Sequence, residues 1–169
     1  ILQGLSTAAF PMPEELMENM VGITSYLREK IIENGGDTKR ETLNLVKTKD
    51  GKAFFKDSFG KVWRLTHFVE GTDCFKSATP ELFEASARFQ YMLQGYPAET
   101  LHETIAKFHD TEDRLRKLKA AINGGPLIRV AKCKAEIDFV LAREKDCSVA
   151  LQALREGKLP LRVTHNDTK

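Results

Sequence analysis

The hydrophobic period changes twice along this chain, and those changes constrain the fold more than any single residue does. Between positions 14 and 33, Leu16, Met20, Ile23, Leu27 and Ile31 recur every three or four residues, the spacing of one helical face. Pro13 suits a first helical turn, where its missing N–H leaves no bond unmade, and Glu14 and Glu15 suit the positive end of the helix dipole. Asn34-Gly35-Gly36 then offers residues that tolerate left-handed backbone, which predicts a stop. Over 43–69 the period falls toward two. Leu43, Leu45, Val46 and Thr48 predict one strand, Ala53-Phe54-Phe55 begins a second and 61–69 makes a third. The turns between them are read from Lys49-Asp50-Gly51 and Asp57-Ser58-Phe59-Gly60. Residues 1–5 read as the end of one more strand. An antiparallel meander of this kind needs a cover for its apolar face, and the 14–33 helix is the predicted cover.

After Gly71 the pattern returns to a helical period. Thr79-Pro80-Glu81 combines an N-cap, a first-turn proline and an acidic first turn, ahead of Leu82, Phe83, Phe89, Met92 and Leu93. Thr111-Glu112-Asp113 predicts a second helix start, closed by Asn123-Gly124-Gly125-Pro126. Val130, Ile137, Val140 and Leu141 predict a third helix over 128–145, and Ser148 a cap for a short last one ending at Gly157. Residues 158–163 regain strand character. The fold class predicted is α+β, with a strand-rich half over 1–70, a linker over 71–77 and a helix-rich half over 78–169.

Composition excludes several classes. Of 169 residues, 41% are hydrophobic and 30% charged, enough to build a core and unlike a disordered chain. No apolar run reaches the ~18–20 residues that a membrane-spanning helix requires. Lys and Arg total 26 against 24 Asp and Glu, a net charge of +2, so no bulk field points to nucleic acid or to a membrane surface. The three cysteines, Cys74, Cys133 and Cys147, form no C-x-x-C pair, which speaks against a disulfide framework or zinc site and predicts a cytoplasmic protein. Ile1-Leu2-Gln3-Gly4 and the close at Lys169 read as the ends of an interior portion of a longer protein.

The most informative motif is Leu161-Arg162-Val163-Thr164-His165-Asn166-Asp167-Thr168-Lys169. An apolar strand that delivers a His-x-Asp turn is how kinase-like enzymes present a catalytic aspartate. Phosphoryl transfer needs an acceptor held in line by a carboxylate while metal ions spread the charge. Asp167 would be that carboxylate, His165 would brace its loop, and Lys169 could face a phosphate. His-x-Asp alone is a weak signal that recurs by chance in unrelated chains. The order of elements strengthens it, since Phe68-Val69-Glu70-Gly71 then falls where a hinge would read an adenine edge with its backbone.

Four segments carry a resemblance to a known family. They are Leu16-Met17-Glu18-Asn19-Met20, Trp63-Arg64 leading to Phe68-Val69-Glu70-Gly71, Leu101-His102-Glu103-Thr104-Ile105 with Phe108-His109-Asp110-Thr111, and the terminal motif. Together they resemble the phosphotransferase enzyme family of the aminoglycoside phosphotransferase superfamily, in its N-acetylhexosamine 1-kinase-like branch. The resemblance spans essentially the whole chain. Some members of that branch also carry the label of mucin desulfatase, but nothing here resembles a sulfatase nucleophile.

The resemblance implies a protein-kinase-like fold, here a partial N-lobe followed by the helical part of a C-lobe. It implies phosphorylation of a sugar hydroxyl with ATP and Mg2+, and a small-molecule sugar and a nucleotide as the partners, without nucleic acid or membrane. By position, Asp167 matches the catalytic aspartate and His165 the motif histidine. Glu18 matches the helix glutamate that pairs with a strand lysine, and Phe68, Val69 and Glu70 match the hinge. The metal-binding Asn and Asp would follow Lys169, so these 169 residues alone are expected to turn over little. Where the family places a basic residue on the opening strand, this chain has Gln3-Gly4, which leaves Glu18 without its expected partner.

Blander readings stand beside these. Glu18 on a helix is ordinarily a solvated carboxylate. His102, Glu103, His109 and Asp110 match no standard zinc spacing; the resemblance puts their segment on the acceptor side of a cleft. His67 reads as a packing residue, and Trp63, Phe54 and Phe55 as core aromatics rather than a base-stacking stripe. Arg114, Arg116, Lys117 and Lys119 form the outer face of an amphipathic helix. The functional alternatives are a non-catalytic kinase-like binding module and a purely structural helical domain.

Overall fold

The structure, a computed structural model, describes residues 1–165, so Asp167 and Lys169 lie outside the described residues. It is a mixed α+β chain with a small antiparallel sheet. Two compact units make it up: 1–105 with the described part of 162–169, and Ala106–Leu161. The 71–77 segment lies inside the first unit. Among the described residues no helix is long and apolar enough to cross a membrane.

In the first unit, β1 (Leu2–Gly4), β2 (Phe55–Lys56) and β3 (Val62–Leu65) form a sheet in the order β1-β3-β2. Leu2 pairs with Leu65, Gln3 with Arg64 and Gly4 with Trp63; across the other edge Phe55 pairs with Trp63. The β2–β3 turn follows its sequence signal. Asp57 Oδ1 accepts from the N–H groups of Phe59 and Lys61, each at 2.9 Å, and Gly60 takes a φ of +80°. The other Asp57 oxygen accepts from Trp63 Nε1 at 2.8 Å, and this bond is the main reason the carboxyl titrates below its usual range.

The strand predicted around 43–48 is a correction: it contributes only an isolated bridge between Leu45 and Thr66. The reason is Asn44, a buried amide whose Nδ2 donates to the carbonyls of Thr38 and Thr42, each at 2.9 Å. Those bonds curl the 38–44 backbone around one side chain instead of leaving it extended. β1 pairs with β3 on the edge away from β2.

Helix α1 (Pro13–Glu33) covers the sheet as predicted. Its first half sets Met17 against Leu5 and Val62, with Leu16 and Met20 alongside. Its second half sets Leu27 and Ile31 against Leu93, just past α2 (Pro80–Met92). Met17, Ile31, Val62 and Leu93 are each at most 2% exposed, and each such burial is worth about 1.5–3 kcal/mol. The helix ends in a Schellman arrangement, with Gly36 N–H donating to Ile31 O at 2.8 Å and Gly35 N–H to Ile32 O at 3.0 Å. Gly35 supplies the φ of +70° that this geometry demands. Thr79 caps α2 as predicted, its side chain accepting from Leu82 N–H. Tyr26 of α1 and Tyr96 beyond α2 meet edge to face at 5.3 Å, and each hydroxyl reaches over a glycine on the opposing segment, Gly95 and Gly22.

The second unit holds four helices: α3 (Thr111–Gly124), α4 (Leu127–Lys132), α5 (Lys134–Leu141) and α6 (Val149–Arg155). Asp110 caps α3, its Oδ1 accepting from Asp113 N–H at 2.8 Å. Asp113 is itself buried and ion-paired to Arg116 and Lys117 one turn on, which holds its carboxyl down to about 2. Arg155 on α6 forks onto both oxygens of Glu112, at 3.0 and 2.7 Å.

The single helix predicted over 128–145 is another correction. It is broken at Cys133, and a 3-10 turn over Glu144–Ser148 follows α5. Neither α4 nor α5 buries a residue, so no packed face holds a long straight helix, and short unpacked helices are marginal. Ser148 does not cap α6; its Oγ donates instead to Lys145 O at 3.1 Å. Residues 158–163 form no strand. Pro160 lacks a ladder donor, and Val163 packs into the Leu27–Ile31 cluster instead of pairing.

Candidate functional site

Where α1 passes from the sheet toward α2, its side chains and the 40–43 loop stand apart and leave a cavity of about 460 Å3. That volume lies within the range of small-molecule sites. Helix α1 contributes Met20, Ile23, Thr24 and Leu27 to its wall, and α2 contributes Phe89. The loop side consists of Arg40, Glu41, Thr42 and Leu43. Val69 from the predicted hinge and His165 from the terminal motif complete it. Thr24 Oγ1 donates to Met20 O at 2.8 Å, inside its own helix, so this wall is largely apolar.

Two charged groups frame the loop side. Arg40 donates to the carbonyl of Glu70 at 3.0 Å, which ties the backbone of the predicted hinge to the loop. Glu41 pairs with Arg88 of α2 at 2.8 Å. His165 meets Phe89 edge to face, 5.9 Å between ring centres.

The sequence-nominated residues therefore separate. Val69 and His165 are brought to one cavity. Phe68 is exposed and outside its wall, and Glu70 is reached only through its carbonyl bond to Arg40. Glu18 is also elsewhere: its Oε2 lies 2.8 Å from His102 Nε2, while Glu15 approaches Nδ1 at 3.8 Å. Asn19 fastens the same histidine by its backbone, accepting from His102 N–H and donating to His102 O, both at 2.8 Å. Glu18 is thus engaged by an imidazole from the 101–105 segment.

No zinc-like cluster forms from the nominated His and Asp residues. His102 is engaged by Glu18, His109 meets Phe108 edge to face at 4.6 Å, and Asp110 caps α3. Among the described residues no group of three or more His, Cys, Asp or Glu is placed to hold a metal ion. His67 enters the fold through its backbone N–H, which donates to Asn44 O at 2.9 Å.

Arg40 and Arg64 are the functional candidates that spacing did not reveal. Arg64 lies on β3 opposite Gln3, and its guanidinium donates to Gln3 Oε1 through Nε at 3.0 Å and Nη2 at 2.8 Å. Its Nη1 lies 3.1 Å from the sulfur of Met20, a residue of the cavity wall. Arg64 itself lines a second cavity of about 370 Å3 along the sheet, where Leu2, Phe55, Trp63 and Leu65 give an apolar wall. Among the described residues, none of the sequence-nominated Glu18, Phe68, Val69, Glu70 and His165 lines it. No protein-family model matches the chain.

Proposed function

We propose that this chain belongs to an ATP-dependent small-molecule kinase with a protein-kinase-like fold, as a partial N-lobe followed by the helical part of the C-lobe. Its acceptor is the hydroxyl of an N-acetylhexosamine-like sugar. One observation supports this reading above the others: the hinge residue Val69 and the motif residue His165, nominated separately from sequence, line the same cavity. Adenine sits in the apolar part of that cavity, against Ile23, Leu27 and Phe89, with its polar edge toward the Val69–Glu70 backbone. Asp167 orients the acceptor hydroxyl. Mg2+, when bound, spreads charge over the phosphoryl oxygens. The free thiols of Cys74, Cys133 and Cys147 accord with a reducing, cytoplasmic setting.

Isotope-labelled chain titrated with adenosine and with ATP plus Mg2+ tests this directly. The amide resonances of Thr24, Val69 and Phe89 should shift together for both ligands. Shifts confined to other surfaces, or none at millimolar ligand, would remove the nucleotide reading. One observation favours the non-catalytic binding module as a second reading: Glu18 is held by His102 rather than by a strand cation. That alternative expects nucleotide binding indifferent to Mg2+.

A further inference from the structure

Two arginines of the first unit are half-buried on a neutral amide, Arg28 on Asn44 and Arg64 on Gln3, and of the two Arg64 is the one whose burial lowers its pKa. Its fork is held by Gln3. Among the described residues no carboxylate pairs with it, and burial alone pulls its pKa down, without a neighbouring anion to offset that shift. Removing a guanidinium from water without a counter-charge is unfavourable, and proteins that keep such a group ordinarily give it an anion. Gln3 fixes the plane of the fork while leaving its full charge available. The remaining nitrogen, Nη1, is directed at Met20 Sδ, a weak acceptor that a phosphate oxygen would readily replace.

Position makes the group useful. Met20 lines the 460 Å3 cavity together with Val69 and Arg40, and although Arg64 is not part of that wall, its Nη1 lies 3.1 Å from Met20 Sδ. A ligand with its apolar part in the cavity and an anionic tail directed past Met20 would bring that tail to Arg64. We propose that Arg64, presented by Gln3 across the β1–β3 pair, is an anion anchor that takes the polyphosphate of the cavity's ligand. Identifying that polyphosphate as a nucleotide's rests on the nucleotide reading above; the anion site itself does not.

Equilibrium binding of tripolyphosphate, ATP and adenosine to the full chain and to two variants tests the assignment. Arg64→Gln removes the charge. Gln3→Glu leaves Arg64 in place and neutralises it with an ion pair that should not unsettle the sheet, so it covers the case in which Arg64→Gln folds poorly. Both variants should bind ATP and tripolyphosphate about ten- to a hundred-fold more weakly, with adenosine unchanged. Unchanged affinity of both variants for ATP and tripolyphosphate overturns the anchor and leaves the nucleotide reading standing. Arg64-dependent tripolyphosphate binding without any adenosine binding keeps the anchor and removes the nucleotide. A wild-type chain that binds none of the three overturns both.

Discussion

Gly22 offers the sharpest test of how the first unit is packed. An alanine Cβ built there would stand 2.4 Å from Tyr96 Oη and 3.6 Å from Cζ. In an exposed helix interior, Gly→Ala gains about 1 kcal/mol from backbone entropy. Here the hydroxyl must move, yet the Tyr96 ring is braced edge-on against Tyr26 at 5.3 Å with an interplanar angle of 86°. Overpacking of this kind costs about 1–3 kcal/mol, so Gly22→Ala should be neutral to about 2 kcal/mol destabilising. Tyr96→Phe deletes the offending atom and leaves only an ordinary 3.6 Å contact. In that background the same alanine should stabilise by about 1 kcal/mol, reversing its sign. Urea unfolding followed by the fluorescence of Trp63, the single tryptophan, reads the unit concerned. If the alanine changes stability equally in both backgrounds, Tyr96 does not fill the space over Gly22 and the packing argument fails.

Three further outcomes are expected. Asp110→Ala should lower the stability of the second unit by about 0.5–2 kcal/mol, read as a lowered midpoint in thermal circular dichroism, because the Asp113 N–H loses its cap. Asp113 has a folded pKa of about 2, below its ordinary 3.8, so its contribution is complete above pH 3.8 and disappears as pH falls through about 2; an acid titration of Asp113→Asn should lack that last phase. Asn19→Ala should expose the His102 amide to hydrogen exchange while Glu18→Gln leaves it protected, since the backbone bonds come from Asn19 alone.

Legibility along the chain tracks how local each signal is. Helix α1 was readable because its apolar spacing, Pro13, the acidic first turn and Gly35 all refer to the same twenty-odd residues. The Asp57–Gly60 turn and the Thr79 cap were readable for the same reason. The 43–48 strand was misread because alternation of Leu43, Leu45 and Thr48 says nothing of Asn44, whose amide organises the backbone before any strand can pair. The 128–145 helix was overread because an apolar face predicts a long helix only where something buries that face. Val130, Ile137, Val140 and Leu141 are only half-buried, and Leu127 and Ile128 remain 84% and 74% exposed.

The site divides along the same line. Val69 and His165 could be nominated from motifs, because each sits in a short segment of distinctive order. The partners of Glu18 and Arg64 could not, because both are fixed by pairings across the fold. His102 is 84 positions from Glu18, and Gln3 is 61 from Arg64. By the family resemblance alone, Gln3-Gly4 stands where a strand cation is expected. Strand register changes its meaning: with Gln3 opposite Arg64, the amide holds a cation that belongs to the neighbouring strand. A positive charge can therefore persist on this face of the sheet although none is encoded in β1, and its availability depends on Gln3 being neutral. A carboxylate at that one position would keep the bond geometry and abolish the free charge. That is why a change from amide to acid, rather than removal of the arginine, best separates a structural cross-strand bond from a functional one.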